Sequence, residues 1–153
     1  MFSRNLVFAG VANYNKQMYL IFASLSAIFA ALVAIFGKIG LGKVDTTLAT
    51  TLRAIVMAAL LILASLFLRK WDLSQISNKA YLYILLAGIA GALSWFFYFF
   101  ALKLGPATSV SAIDRLSVVF VILFAALFLG ESLTAKSVIG GLLIVLGAFL
   151  LIK

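Results

Sequence analysis

The feature that most constrains this chain is the recurrence of apolar runs about 20 residues long, each closed by a short polar turn. A helix rises about 1.5 Å per residue, so a run of that length matches a hydrocarbon layer about 30 Å thick. Five such runs lie at Tyr19 to Gly37, Thr46 to Leu68, Ala80 to Ala101, Ala107 to Leu129 and Thr134 to Ile152. The breaks carry turn chemistry: Gly40-Leu41-Gly42-Lys43, Arg69-Lys70-Trp71-Asp72, Lys103-Leu104-Gly105-Pro106 and Gly130-Glu131-Ser132. Pro106 suits a helix start and Gly130 a helix end. Hydrocarbon holds no water to satisfy stray amides, so runs of this length read as helices. The expected fold class is all-α integral membrane, with five transmembrane helices.

Composition agrees. The apolar set makes up 66% of the residues and Asp, Glu, Lys and Arg only 10%, against about 25% charged in a soluble domain. A soluble fold of roughly 150 residues still leaves about 30% of its surface in water, which this sequence has too little polarity to cover. The net charge of +8 sits mostly between the runs, where Lys and Arg flank membrane spans, and this argues against a nucleic-acid partner. There is no His and no Cys, which excludes imidazole acid-base work, thiolate chemistry, disulfides and most structural zinc sites. The only carboxylates are Asp45, Asp72, Asp114 and Glu131. No cofactor is expected, and no nucleophile, base or metal constellation marks an enzyme.

Two segments follow from this pattern: residues 1–17 and a five-helix domain over residues 18–153. The first contains a short apolar patch, Leu6 to Ala12, flanked by Arg4 and Lys16. It is too short to span and reads as an interfacial leader, or as sequence ahead of a functional start at Met18. Five spans put the two ends of the domain on opposite faces. One face collects Arg4, Lys16, Arg69, Lys70, Lys79 and Lys136, the other Lys38, Lys43, Lys103 and Lys153. Six against four favours the first face in the cytoplasm by a small bias, and a start at Met18 makes it four against four, which predicts insertion in both directions.

Several local strings carry a family likeness. They are Ala31-Leu32-Val33-Ala34-Ile35-Phe36-Gly37-Lys38, Ala101-Leu102-Lys103-Leu104-Gly105, Ala125-Ala126-Leu127-Phe128-Leu129-Gly130-Glu131 with Leu133-Thr134, and Ile139-Gly140-Gly141-Leu142-Leu143-Ile144-Val145-Leu146-Gly147. In their order and spacing, from Tyr19 onward, the chain resembles a single EamA repeat of the drug/metabolite transporter superfamily. The resemblance implies one half of an inverted-repeat, ten-helix carrier of small organic solutes in the bacterial inner membrane. Such carriers hold substrate between their repeats near the midplane. A single repeat therefore needs a partner: an antiparallel homodimer, or pairing with a second EamA-like chain. Many repeats place a Pro early in the fourth helix; this chain has Ile113-Asp114-Arg115 there, so the resemblance carries no helix break over to it.

Charges inside a span cost several kcal/mol unless paired or hydrated, which singles out Arg53, Asp114 and Arg115. Arg53 and Asp114 each lie seven residues after their expected helix starts, hence about 10 Å below the same face. Ser94 and Trp95 on the third helix fall at nearly that depth, with Tyr98 somewhat closer to the surface. Helical spacing groups Thr46, Thr50 and Arg53, then Ser111, Asp114 and Ser117, then Gly91, Ser94 and Tyr98. If the stripes converge, they form one polar chamber with a net positive charge, suited to an anionic or zwitterionic solute. Candidate substrate-binding residues are thus Arg53, Ser94, Trp95, Tyr98, Ser111, Asp114 and Arg115. Asp114 is also a candidate to carry protons. The plainer alternative has Asp114 neutralise Arg53 or Arg115 and lock two helices together, while the other Arg snorkels to the surface.

In the run Trp95-Phe96-Phe97-Tyr98-Phe99-Phe100, Trp95 and Tyr98 are the better inward candidates, because each has a polar handle. Ala87, Gly88, Gly91 and Ala92 suit close packing within the chain, and Gly140, Gly141 and Gly147 suit a dimer seam. Glu131 reads as a turn residue, with Thr134 a helix N-cap. Two other functions fit the same inventory: a non-transporting membrane subunit, and a lipid-linked-intermediate flippase component whose Arg53 and Arg115 grip a phosphate.

Overall fold

A computed structural model describes the backbone of residues 2–72 and 76–152, and the side chains of residues 17–72 and 76–152. The chain divides after Phe36 into two compact units. The first is the helix α1 (Phe2–Leu41) as far as Phe36. Only backbone is described over residues 2–16, so the side chains of the expected leader lie outside the described residues, as does Lys153. The second unit begins with the last turn of α1 and contains α2 (Thr46–Phe67), α3 (Asn78–Leu104), α4 (Ala107–Asp114), α5 (Ser117–Phe124), a π-helical turn (Ala125–Leu129) and α6 (Ala135–Leu151).

Among the described residues, four helical stretches are long and apolar enough to cross a membrane: Gln17–Leu41, Thr46–Phe67, Asn78–Leu104 and Ala107–Leu129. α6 is apolar but has 17 residues, the short end of the spanning range. The chain is a multi-pass membrane protein, and its surface says so: Phe67, Phe128 and Leu150 are 89%, 79% and 86% exposed, a surface that lipid tolerates and water does not.

Local chemistry sets the helix ends. The Asp45 carboxylate accepts from the Leu48 amide at 3.0 Å and Ser77 Oγ from the Ala80 amide at 3.2 Å, each an N-cap filling one of the orphan donors of a first turn. Thr134 caps α6 as expected, in a capping box completed by Ser137. Gly130 ends the fourth span at φ +69°, a left-handed conformation that side chains disfavour. Arg69 takes the same role after α2 at φ 52°: its amide donates to Leu66 O, and the Lys70 amide to Ser65 O, the paired bonds of a Schellman end.

The fourth span is broken at Arg115 and Leu116 without a proline. The Leu116, Val118 and Val119 amides donate three residues back, to Ile113 O, Arg115 O and Leu116 O. In a continuous α-helix Leu116 and Val118 would donate to Ala112 O and Asp114 O, so the tightened turn releases those two carbonyls from the ladder. α4 is thereby a half-helix ending at Asp114.

Within the second unit, α2 packs on α3, α3 on α4, and both α4 and α5 on α6. Ser109 donates from α4 to the Leu151 carbonyl at the end of α6, at 2.8 Å. A Cβ on Gly141 would lie 3.4 Å from Ile122 Cδ1, so this glycine serves packing inside the chain. Gly140 and Gly147 meet nothing within 4 Å. The last turn of α1 meets the end of α3 around the fully buried Leu41 and Leu102. Lys38 Nζ donates to Leu102 O and Gly105 O at 2.5 and 2.8 Å. Lys103 Nζ donates to Leu41 O, Gly42 O and Val44 O at 2.7, 2.5 and 3.2 Å.

Candidate functional site

α3 carries candidate site residues on two flanks. On its α2 side lies a hollow of about 470 Å³ lined by Thr50, Arg53, Met57, Gly91, Trp95 and Phe96, among others. Gly88 and Gly91 do not serve close packing as expected; a Cβ on either would meet nothing within 4 Å, and the missing side chains leave the floor of the hollow open. The Arg53 guanidinium carbon sits 3.6 Å from the Trp95 ring centroid and 5.6 Å from that of Phe99. This is cation–π stacking, which offsets the desolvation of a guanidinium without an anion. The planar fork keeps its N–H donors for whatever enters. Thr50 and Thr51 spend their hydroxyl protons on the carbonyls of Thr46 and Thr47, both at 2.8 Å, so toward the hollow they offer lone pairs.

On the other side of α3, facing α4, a groove of about 310 Å³ is lined by Ser94, Phe97, Tyr98, Ala101, Val110, Ile113 and Asp114. The Tyr98 and Ser111 hydroxyl oxygens lie 3.0 Å apart in a hydrogen bond that ties α3 to α4. Asp114 is half-buried and ends the half-helix α4. Arg115 is exposed at the break and lines neither groove.

Six of the seven candidate residues therefore gather in two places, and Arg115 joins neither. Arg53 and Trp95 share the first groove; Ser94, Tyr98 and Asp114 share the second, with Ser111 bonded to its wall. Neither groove holds both Arg53 and Asp114, so the polar stripes do not converge in a single chamber there. The stripe Gly91, Ser94, Tyr98 divides between the two flanks of α3. Asp114 forms no ion pair with Arg53 or Arg115, and the two-helix lock is not built. The aromatic wall also differs: Phe99, without a polar handle, is the most buried ring at 4% exposure. It packs where Gly37 leaves space, 3.2 Å from the position of an added Cβ. Trp95 meets Tyr98 edge-on at 5.4 Å between centroids, so contacts run unbroken from Arg53 through Trp95 and Tyr98 to Ser111. Thr47, Thr51, Met57 and Phe96 also line the first groove. The sequence signal for the two threonines is the helical spacing of Thr47, Thr50, Thr51 and Ala54 on the face next to Arg53; Phe96 stands in the aromatic run, and nothing in the sequence marks Met57.

Comparison with known proteins adds the family. The model of the EamA-like transporter family matches residues 17–153. A Sinorhizobium protein described as an uncharacterized transporter in the cobO 3′ region is 39% identical over 137 residues, covering 89% of this chain and 97% of that protein. The pseudopaline exporter CntI of two Pseudomonas aeruginosa strains is 40% identical over 70 residues, 46% of this chain and 25% of the exporter. No solved structure matches.

Proposed function

Because the chain belongs to the EamA-like transporter family, we propose that it is a five-span half-carrier that moves a small anionic or zwitterionic organic solute by alternating access. It is a membrane transporter rather than an enzyme. The observation that carries the solute reading is the Arg53 guanidinium stacked on Trp95 in a hollow that contains no carboxylate. A guanidinium held this way by ring faces keeps its N–H donors unspent, and a carboxylate or phosphate fits its fork. The lone pairs of Thr50 and Thr51 on the same wall suit an ammonium or hydroxyl of the same solute.

The partner is a second chain, most simply an antiparallel copy, in the bacterial inner membrane. Both grooves are open on the surface of one chain, and an inverted-repeat carrier closes such surfaces against its other half. Gly140 and Gly147, which meet nothing within 4 Å, leave one face of α6 smooth for close approach. At 17 residues, α6 crosses as the fifth span if the bilayer thins slightly around it.

Reconstitution tests this. Liposomes containing the purified chain should exchange a radiolabelled anionic or zwitterionic solute, with pseudopaline and a panel of amino and carboxylic acids as probes. Arg53→Ala and Asp114→Asn should each abolish that flux while eluting as folded protein. Wild-type flux from both variants removes the site. No flux with any probe, together with recovery of a distinct membrane protein by pull-down, makes the chain a passive subunit.

A further inference from the structure

We infer that the groove between α3 and α4 is a binding site for a monovalent alkali cation, sodium foremost, held by Asp114, Ser111 and Tyr98 beside the broken fourth span.

Three features meet there, the last two both consequences of the break at Arg115 and Leu116. First, the polar side chains lining the groove, Ser94, Tyr98 and Asp114, present oxygen only, and hard cations take oxygen ligands. Second, α4 is a half-helix whose carboxyl end falls at Asp114, so the negative end of its dipole adds to the carboxylate. Third, the tightened turn takes the Ala112 and Asp114 carbonyls out of the helical ladder, next to the carboxylate and in a span where water is scarce. Broken membrane helices use such released carbonyls and half-helix ends to coordinate ions.

The charge balance selects the ion. One carboxylate faces this groove, which one monovalent cation neutralises; divalent sites recruit more carboxylates. A proton would need only the carboxylate and would make no use of the carbonyls that the loosened turn releases beside it. Occupancy would also reach the solute groove, because Ser111 is bonded to Tyr98, Tyr98 abuts Trp95, and Trp95 carries Arg53. That use of the ion as a coupling partner rests on the carrier reading; its binding does not.

Radiolabelled sodium binding to the purified full chain in detergent, at constant pH and ionic strength, tests the site. Saturable binding displaced by unlabelled sodium and not by choline is expected. Asp114→Asn should lose it, and Ser111→Ala should weaken it on the order of tenfold. Absence of saturable binding to the wild type, equal displacement by choline, or undiminished binding by Asp114→Asn would overturn the assignment. If Asp114→Asn does not elute as folded protein, Ser111→Ala and Tyr98→Phe decide it, since unchanged affinity in both is incompatible with the site. Sodium binding without solute flux would keep the cation site and remove the carrier; flux without sodium binding would do the reverse.

Discussion

Lys38 and Lys103 cap each other's helix. Lys38, in the last turn of α1, donates to carbonyls at the end of α3, and Lys103, in the last turn of α3, donates to carbonyls at and just beyond the end of α1. The final carbonyls of any helix lack intrahelical partners and carry its negative dipole end, so a crossed pair of ammonium groups satisfies two helix ends at once. The arrangement pins the two ends together above the buried Leu41 and Leu102.

Replacing either lysine with Met keeps the aliphatic stem and removes the donor. Each single variant should lose about 1–2 kcal/mol of stability, the range for charge-assisted bonds discounted for partial exposure. Because both lysines hold one joint, the double variant should cost less than the sum. Thermal melts in detergent measure this, and strict additivity would show the two caps to be independent.

The Arg53–Trp95 stack makes a second prediction. Trp95→Leu keeps bulk and removes the π face, so solute affinity should fall by up to about tenfold, while Trp95→Phe should retain most of it. Arg53→Lys should fare worse than Trp95→Phe, since an ammonium keeps the charge and loses the planar fork. Concentration dependence of flux in liposomes separates these outcomes; equal affinity in Trp95→Leu and wild type would detach the ring from recognition.

How much of this was legible in the sequence depended on whether a feature was local. The start of α2 at Thr46, the Thr134 cap and the Gly130 stop were all readable, because capping residues and glycine act within one turn. The two flanks of α3 were not. That helix is apolar on nearly every side, so no periodicity fixed its rotation about its own axis, and Gly91 could be grouped with Ser94 and Tyr98 although they face different neighbours. The break at Arg115 was equally hidden, because Ile113-Asp114-Arg115 carries no proline and the tightened bonds form only in the folded chain. Lys38 and Lys103 looked like flanking charges, since nothing in their spacing shows that residues more than 60 positions apart share carbonyls.

Arg69 supplies a prediction about strain. It holds φ 52° at the Schellman end of α2, where glycine has no Cβ to clash. Arg69→Gly should therefore raise stability by about 1 kcal/mol, visible as a higher melting temperature. Arg69→Ala should gain little, because it keeps the Cβ. A lower melting temperature for Arg69→Gly would mean that the Arg side chain stabilises the α2 end by more than its backbone strain costs.

The proposal of an antiparallel dimer makes the most demanding prediction, because it ties orientation to activity. A reporter fused after Lys153 should be found on both sides of the membrane, since an antiparallel pair needs copies in both orientations and a charge bias of six against four is small. Changing Lys70, Lys79 and Lys136 to Gln and Val44 to Lys should drive one orientation, and Lys43→Gln should strengthen the other; none of these side chains lines either groove. Each biased variant expressed alone should lose flux, since parallel copies cannot complete an inverted-repeat cavity. Expressed together, the two should regain it. A single location for the wild-type reporter, or full flux from one biased variant alone, would rule out self-pairing in opposite orientations and direct the search to a second chain.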